Sequence, residues 1–170
     1  MKTPEHILDA IKNSVGPKGW TDNADKIEAH ITEWRGMWRG SCDLVVSPAN
    51  YSEVSSIVKL CNDASIPITP QGGNTGLVGA GVPNGGIVLC LNRMNQIRNI
   101  DIHNNTITVE AGCVLSDIQI AAKKVNRLFP LSLGAESTCE IGGNISTNAG
   151  GVQVLRYGNV RDLVLGLETI

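Results

Sequence analysis

The sequence predicts an α+β fold, on three observations. Apolar residues recur at helical spacing in several separate stretches, for example Val54, Ile57, Val58 and Cys61. Short apolar runs at 44–46, 66–69 and 87–91 are bounded by turn residues and read as buried strands. The segments 97–102 and 106–111 alternate apolar with polar residues around His103-Asn104-Asn105 and read as a hairpin.

Taken in order, Thr3 is placed to cap a first helix, with Pro4 at its first position and Glu5 in its first turn. Ile7, Leu8, Ile11 and Val15 form its buried stripe, and Gly16-Pro17 stops it. Residues 17–40 carry no clear period. They contain the near-repeat Trp34-Arg35-Gly36 and Trp38-Arg39-Gly40. The arginine pair could grip a phosphate; the preferred reading packs the two Trp with the Arg stems over them. From Asp43 the pattern is β-α-β: a strand at 44–46, a helix capped by Asn50 with Glu53 as capping-box partner, and a strand at 66–69. Val114, Ile118, Ala121, Ala122 and Val125 mark a later amphipathic helix. Ser137 and Glu140 are spaced as a capping box for a helix over 141–148, and 163–170 reads as a buried strand.

Composition excludes several classes. A net charge of -2 provides no field for a polyanion, so nucleic acid is not expected as a partner. No apolar run approaches a membrane span, and the first residues lack the apolar core of a signal peptide. The five Cys are scattered without a C-x-x-C, which together with that N-terminus predicts a cytoplasmic location. No His or Cys pair has metal-ligand spacing, so no metal is assigned. His6, His30 and His103 sit in no catalytic motif, and no catalytic residue is assigned.

Glycine is the outlier. Of 19 Gly, seven fall in 72–86 and six in 134–158, and that clustering points to two loops at one site. In the first window Gly72, Gly73, Asn74, Thr75 and Gly76 combine bare backbone with small polar side chains, and no acid lies between 64 and 100. Successive Gly let several amides face one concavity, which suits a phosphate or pyrophosphate; a tight surface loop between strands is the plain alternative. The Gly-Lys-Ser/Thr of a Walker loop is missing, and the G-x-G-x-x-G strand-to-helix context of a dinucleotide fingerprint is missing too. In the second window Gly142 and Gly143 would leave amides free at a helix start.

The run Pro70-Gln71-Gly72-Gly73-Asn74-Thr75-Gly76-Leu77-Val78-Gly79 resembles the first FAD-pyrophosphate loop of flavoproteins of the vanillyl-alcohol oxidase type. The likeness continues through residues 134–144, 148–151, Leu155-Arg156-Tyr157-Gly158 and 164–168, and covers about 34–170. Within that family it is similar to the D-2-hydroxyacid dehydrogenases: D-lactate, D-2-hydroxyglutarate and glycolate-oxidase-type flavin subunits. The resemblance implies the N-terminal portion of a two-subdomain FAD-binding domain. Residues 1–40 would be a helical extension, 41–92 the first and smaller subdomain, and 93–170 a truncated second one, with a C-terminal substrate domain absent. It implies FAD contacts at Gly72, Gly73, Asn74, Thr75 and Gly76. Pro130, Gly134, Thr138, Gly142, Gly143, Thr147, Asn148, Gly151, Tyr157 and Gly158 would line the rest. The first loop lacks the His that often carries covalent flavin, so FAD is expected to be non-covalent. The implied reaction oxidises a D-2-hydroxyacid to a 2-oxoacid by hydride transfer to FAD. A small 2-hydroxyacid and an electron acceptor (protein, quinone or oxygen) are the implied partners, with a homodimer among the assemblies open to a full-length form. The alternative is a non-catalytic flavin-carrying subunit or remnant that needs a partner chain. A Gly73→Val change is expected to abolish flavin retention by filling the phosphate position and forbidding positive φ.

Overall fold

The computed structural model describes residues 2–170. The chain forms two compact units, residues 2–93 with Ile170, and residues 94–169.

The first unit contains α1 (Glu5–Val15), β1 (Trp20–Thr21), α2 (Ala24–Ile31), β2 (Leu44–Val46), α3 (Tyr51–Asp63), β3 (Ile68–Gln71) and β4 (Ile87–Cys90). The strands form one sheet in the order β1-β2-β4-β3. β2 and β3 both run parallel to β4, and β1 lies antiparallel to β2. All four residues of β4 are buried, as suits a central strand covered on both faces. α1 packs on α3 through Leu8, Ile11 and Val15 on one side and Val54, Ile57 and Cys61 on the other. α3 starts as its sequence dictates: the Asn50 carboxamide accepts from the Glu53 amide at 3.0 Å, and the Glu53 carboxylate returns to the Ala49 amide at 2.7 Å.

Thr3 does not cap α1. Pro4 occupies that position without a side-chain bond, and the Thr3 amide and hydroxyl both donate to the Asp43 carboxylate, at 2.7 and 2.6 Å. A carboxylate just before β2 outcompetes the helix end, because a charged acceptor makes the stronger bond. The Trp expectation is also corrected. Trp34 and Trp38 are 68% and 52% exposed, and their arginines are engaged elsewhere. Arg35 pairs with Glu33 at 2.7 Å, and Arg39 grips Glu28 with two nitrogens.

The second unit holds the antiparallel hairpin β5 (Ile97–Asp101) and β6 (Thr106–Val109), then α4 (Leu115–Lys124), α5 (Ile141–Ser146), α6 (Val154–Tyr157) and a 3-10 turn at Val160–Leu163. Its core gathers Cys113, Leu115, Ile118, Leu131, Cys139, Ile141 and Val160. Residues 164–170 form no strand, and Leu165 and Leu167 are 83% and 66% exposed. A strand needs a ladder neighbour for its peptide groups, and none of the described residues pairs with this stretch.

None of the five cysteines is in a disulfide. Burial raises the pKa of Cys42, Cys61, Cys113 and Cys139, that of Cys61 to about 11. These behave as small core hydrophobes rather than as nucleophiles.

Candidate functional site

Parallel neighbours cannot be joined by a tight turn. Between β3 and β4 the crossover is residues 72–86, which leave the carboxyl end of β3 without forming a helix. Ligands of parallel sheets settle at that end of the strands. Among the described residues, the amides of 73–78 make no hydrogen bond to the protein. Six consecutive unspent donors form the feature that the glycine count anticipated. A Cβ built on Gly76 would meet no protein atom within 4 Å. Within this crossover the left-handed backbone conformations lie at Asn74 (φ 51°), Gly79 (φ 72°), Gly85 (φ 82°) and Gly86 (φ 65°). Gly73, where positive φ was expected, is not among them.

Asn74 is committed in another way. Its side-chain amide donates to Ala29 O and Thr32 O, both at 3.1 Å, so its contribution to a ligand comes through its backbone. Gln71 donates to His30 O and Gly81 O, both at 2.8 Å. Arg35 reaches Leu77 O, and the Trp38 ring lies against Gly79. On the α2 side of Gly73 and Asn74 is a groove of about 590 Å³ that carries Asp25, Glu28 and Glu33. Its acids come from residues 17–40, which the sequence pattern left unread, and Glu28 and Glu33 are paired with Arg39 and Arg35.

The second unit places its glycines differently. Gly134 is exposed and Gly143 faces open space; a Cβ on either would meet no protein atom within 4 Å. Their amides are unspent among the described residues. Gly142 is otherwise. Its amide bonds Ala111 O at 2.8 Å, that of Ile141 bonds Cys113 O at 2.9 Å, and a Cβ would press on the Ala111 methyl at 2.8 Å. The expected row of free amides at the start of α5 is reduced to that of Gly143, and Gly142 serves close packing.

The helix itself is shorter than expected, six residues ending at Ser146. Thr147 turns its hydroxyl back to Gly143 O at 2.9 Å, and Asn148, at φ 53°, accepts from the Arg161 amide at 3.2 Å. Ser137 provides no cap; Glu140 is the cap residue and makes no side-chain cap bond. Buried and with no ionic partner among the described residues, its carboxyl is raised from 4.5 to about 7 by desolvation.

Pro130 is half-buried, and Thr138 is exposed with its hydroxyl on Ala135 O. Gly151 and Ser132 are brought together, the Val152 amide bonding Ser132 O at 3.1 Å. Tyr157 ends α6, with the Arg156 guanidinium 5.4 Å from its ring centre. A Cβ on Gly158 would overlap the Asp162 carboxylate.

Each unit by itself carries features that fit part of a dinucleotide: unspent amides and open space over Gly76 in the first, and in the second the unspent amides of Gly134 and Gly143 with open space over them and two orphaned buried atoms, Asn144 Oδ1 and Gln153 Oε1. Asn144 is 6% exposed and its Oδ1 has no partner. A buried acceptor in that condition costs ~1–3 kcal/mol unless something donates to it. Sequence reasoning missed Asn144, since a lone Asn inside a glycine motif shows nothing of its burial.

Comparison with known proteins agrees with this geometry. The family model described as FAD binding domain matches residues 42–170. D-2-hydroxyglutarate dehydrogenase, mitochondrial, of Arabidopsis thaliana is 38% identical over 160 residues, which cover 94% of this chain and 29% of that protein. The enzyme of the same name from Danio rerio is 42% identical over 147 residues (86% and 28%). The D-2-hydroxyglutarate–pyruvate transhydrogenase of Saccharomyces cerevisiae is 39% identical over 163 residues (95% and 32%). The chain thus spans about three-tenths of the length of these relatives.

Among solved structures, an alkyldihydroxyacetonephosphate synthase superposes with a TM-score of 0.85 at 22% identity, over 95% of this chain and 32% of that one. A p-cresol methylhydroxylase does so at 0.67 and 22%, over 87% and 30%. Two of the three relatives are described as mitochondrial, so the cytoplasmic expectation is withdrawn. Scattered cysteines show only that a compartment is reducing, and several compartments are. Among the described residues no helix is long and apolar enough to cross a membrane. With its α+β architecture, its unspent loop amides and a family match over three-quarters of its length, the chain belongs to the FAD binding domain family and has the fold of the vanillyl-alcohol oxidase type.

Proposed function

We propose that this chain is the FAD-carrying portion of a flavin-dependent D-2-hydroxyacid dehydrogenase acting on the D-2-hydroxyglutarate or D-lactate class. The observation that carries the reading is the identity of 38–42% to D-2-hydroxyglutarate dehydrogenases across most of the chain. FAD, when bound, would accept a hydride from the α-carbon of the hydroxyacid.

The chain's own part is to hold and orient. In this reading the amides of 73–78 and those of Gly134 and Gly143 serve the diphosphate and its neighbours, each worth more to an anion than to a neutral acceptor. The absence of His from the first loop leaves the cofactor non-covalent. A small 2-hydroxyacid and an electron acceptor complete the reaction.

The test uses two variants. Gly76→Val and Gly143→Val place a side chain where the protein itself has nothing, so each should fold with the wild-type circular dichroism spectrum. Both should lose FAD retention at least tenfold, read from the flavin absorbance that survives gel filtration. Full retention in both would end the cofactor placement. Whether D-2-hydroxyglutarate, D-lactate or glycolate bleaches that absorbance, with an artificial acceptor to turn it over, then decides the substrate class. In the full-length protein, retention of FAD with no bleaching by any D-2-hydroxyacid would favour the flavin-carrying subunit.

A further inference from the structure

The last four carbonyls of a helix have no partner within it. In α2 they belong to Glu28, Ala29, His30 and Ile31, and all four are satisfied. Glu28 O accepts from the Thr32 amide and Ile31 O from the Gly40 amide. The other two are served by the glycine-rich loop, Ala29 O by the Asn74 side chain and His30 O by the Gln71 side chain. The same Gln71 nitrogen also donates to Gly81 O. Residues 71, 74 and 81, the two ends of the amide-bearing turn and a point inside it, are therefore tied to one helix terminus.

This arrangement fixes the orientation of Gln71. Only the NH₂ end of a carboxamide can serve two carbonyl oxygens. Its Oε1 must then face the His30 ring, where Nδ1 lies 2.6 Å away. The ring nitrogen at that distance must be the donor, so His30 carries a proton on Nδ1. Cys90 Sγ lies 3.5 Å from the same nitrogen. Gln71 is 6% exposed, so no solvent would replace a lost partner.

We propose that His30 is the positioning residue of the cofactor loop. It orients the Gln71 carboxamide, which holds residues 71–81 against α2 with the amides of 73–78 free before any ligand arrives. The role rests on the FAD reading above for its purpose, but not for its geometry. It also assigns a function to a helix outside the matched residues 42–170: α2 supplies the rigid support, and pre-ordering the loop removes part of the entropy cost of binding.

The experiment compares His30→Leu with His30→Asn in the full chain. Leucine fills space without a donor. Asparagine places an N–H donor two bonds from Cβ, as Nδ1 is. The first measurement needs no cofactor: thermolysin cleavage in the ligand-free protein at Leu77 and Val78, which are 49% and 79% exposed. His30→Leu should raise that rate roughly tenfold, the scale set by one orphaned buried acceptor, and His30→Asn should restore it to within about twofold. The second is the FAD dissociation constant from quenching of flavin fluorescence, with the same expected order.

Equal cleavage in wild type and His30→Leu would overturn the proposal, and so would His30→Asn cleaved as fast as His30→Leu with both proteins folded. Failure of the wild-type chain to bind FAD would instead overturn the cofactor reading, and the cleavage comparison would still decide the role of His30.

Discussion

Gly151→Ala should lower the melting temperature of the second unit by roughly 10 °C, the largest effect expected of any single methyl group in that unit. Two costs coincide there. The residue sits at φ 71°, a conformation that charges an L side chain about 1–2 kcal/mol. The new Cβ would also overlap the backbone oxygen of Ser132, with a Leu133 methyl at 3.0 Å. A carbonyl oxygen cannot swing aside as a side chain can, so the turn must open and strain on the order of 1–3 kcal/mol is added. The 3.1 Å bond from the Val152 amide to the same oxygen would be stretched with it. Differential scanning calorimetry checks this, with Gly143→Ala as the control. That site is helical and unobstructed, so its alanine should be neutral or stabilising by up to about 1 kcal/mol. A Gly151→Ala protein melting like wild type would show that the 132–151 turn is not as tight as described.

The second large effect depends on pH. Glu140 has its carboxyl raised from 4.5 to about 7 by burial. A raised carboxyl favours the folded state only while it is protonated, so that contribution is complete below about pH 4.5, declines as pH rises, and is gone above about pH 7. A difference of that size is worth roughly 3 kcal/mol. Glu140→Gln keeps the shape and removes the proton equilibrium. Its urea midpoint should be flat between about pH 5 and about pH 8 while that of the wild type falls, leaving the variant more stable at the upper end. Parallel curves for the two proteins would mean that Glu140 is solvated or paired.

How far the sequence revealed these features depends on the range of the interaction. The start of α3 was readable because Asn50 and Glu53 cap it within four residues. β4 was readable because a central strand is apolar throughout. The free amides of 73–76 were readable from glycine and small polar residues; those of Leu77 and Val78 were not.

What was misjudged depended on distant partners. Thr3 answers to Asp43, 40 residues away. The amide of Gly142 is taken by Ala111, which no local spacing records. β1 was hidden because its order comes from pairing with β2; α2 was overlooked although Asn23 caps it and Ala24, Ile27 and Ile31 recur at helical spacing. The strand expected at 163–170 had the right residues and no neighbour to pair with.

All three tryptophans of the chain, Trp20, Trp34 and Trp38, lie in the first unit, and the ring of Trp38 touches Gly79. Indole emission from this protein therefore reports on one half of the molecule and is blind to the other. Because flavins absorb where indole emits, the ring beside Gly79 is a built-in optical gauge of the loop: arrival of the yellow cofactor should dim it, with no label attached.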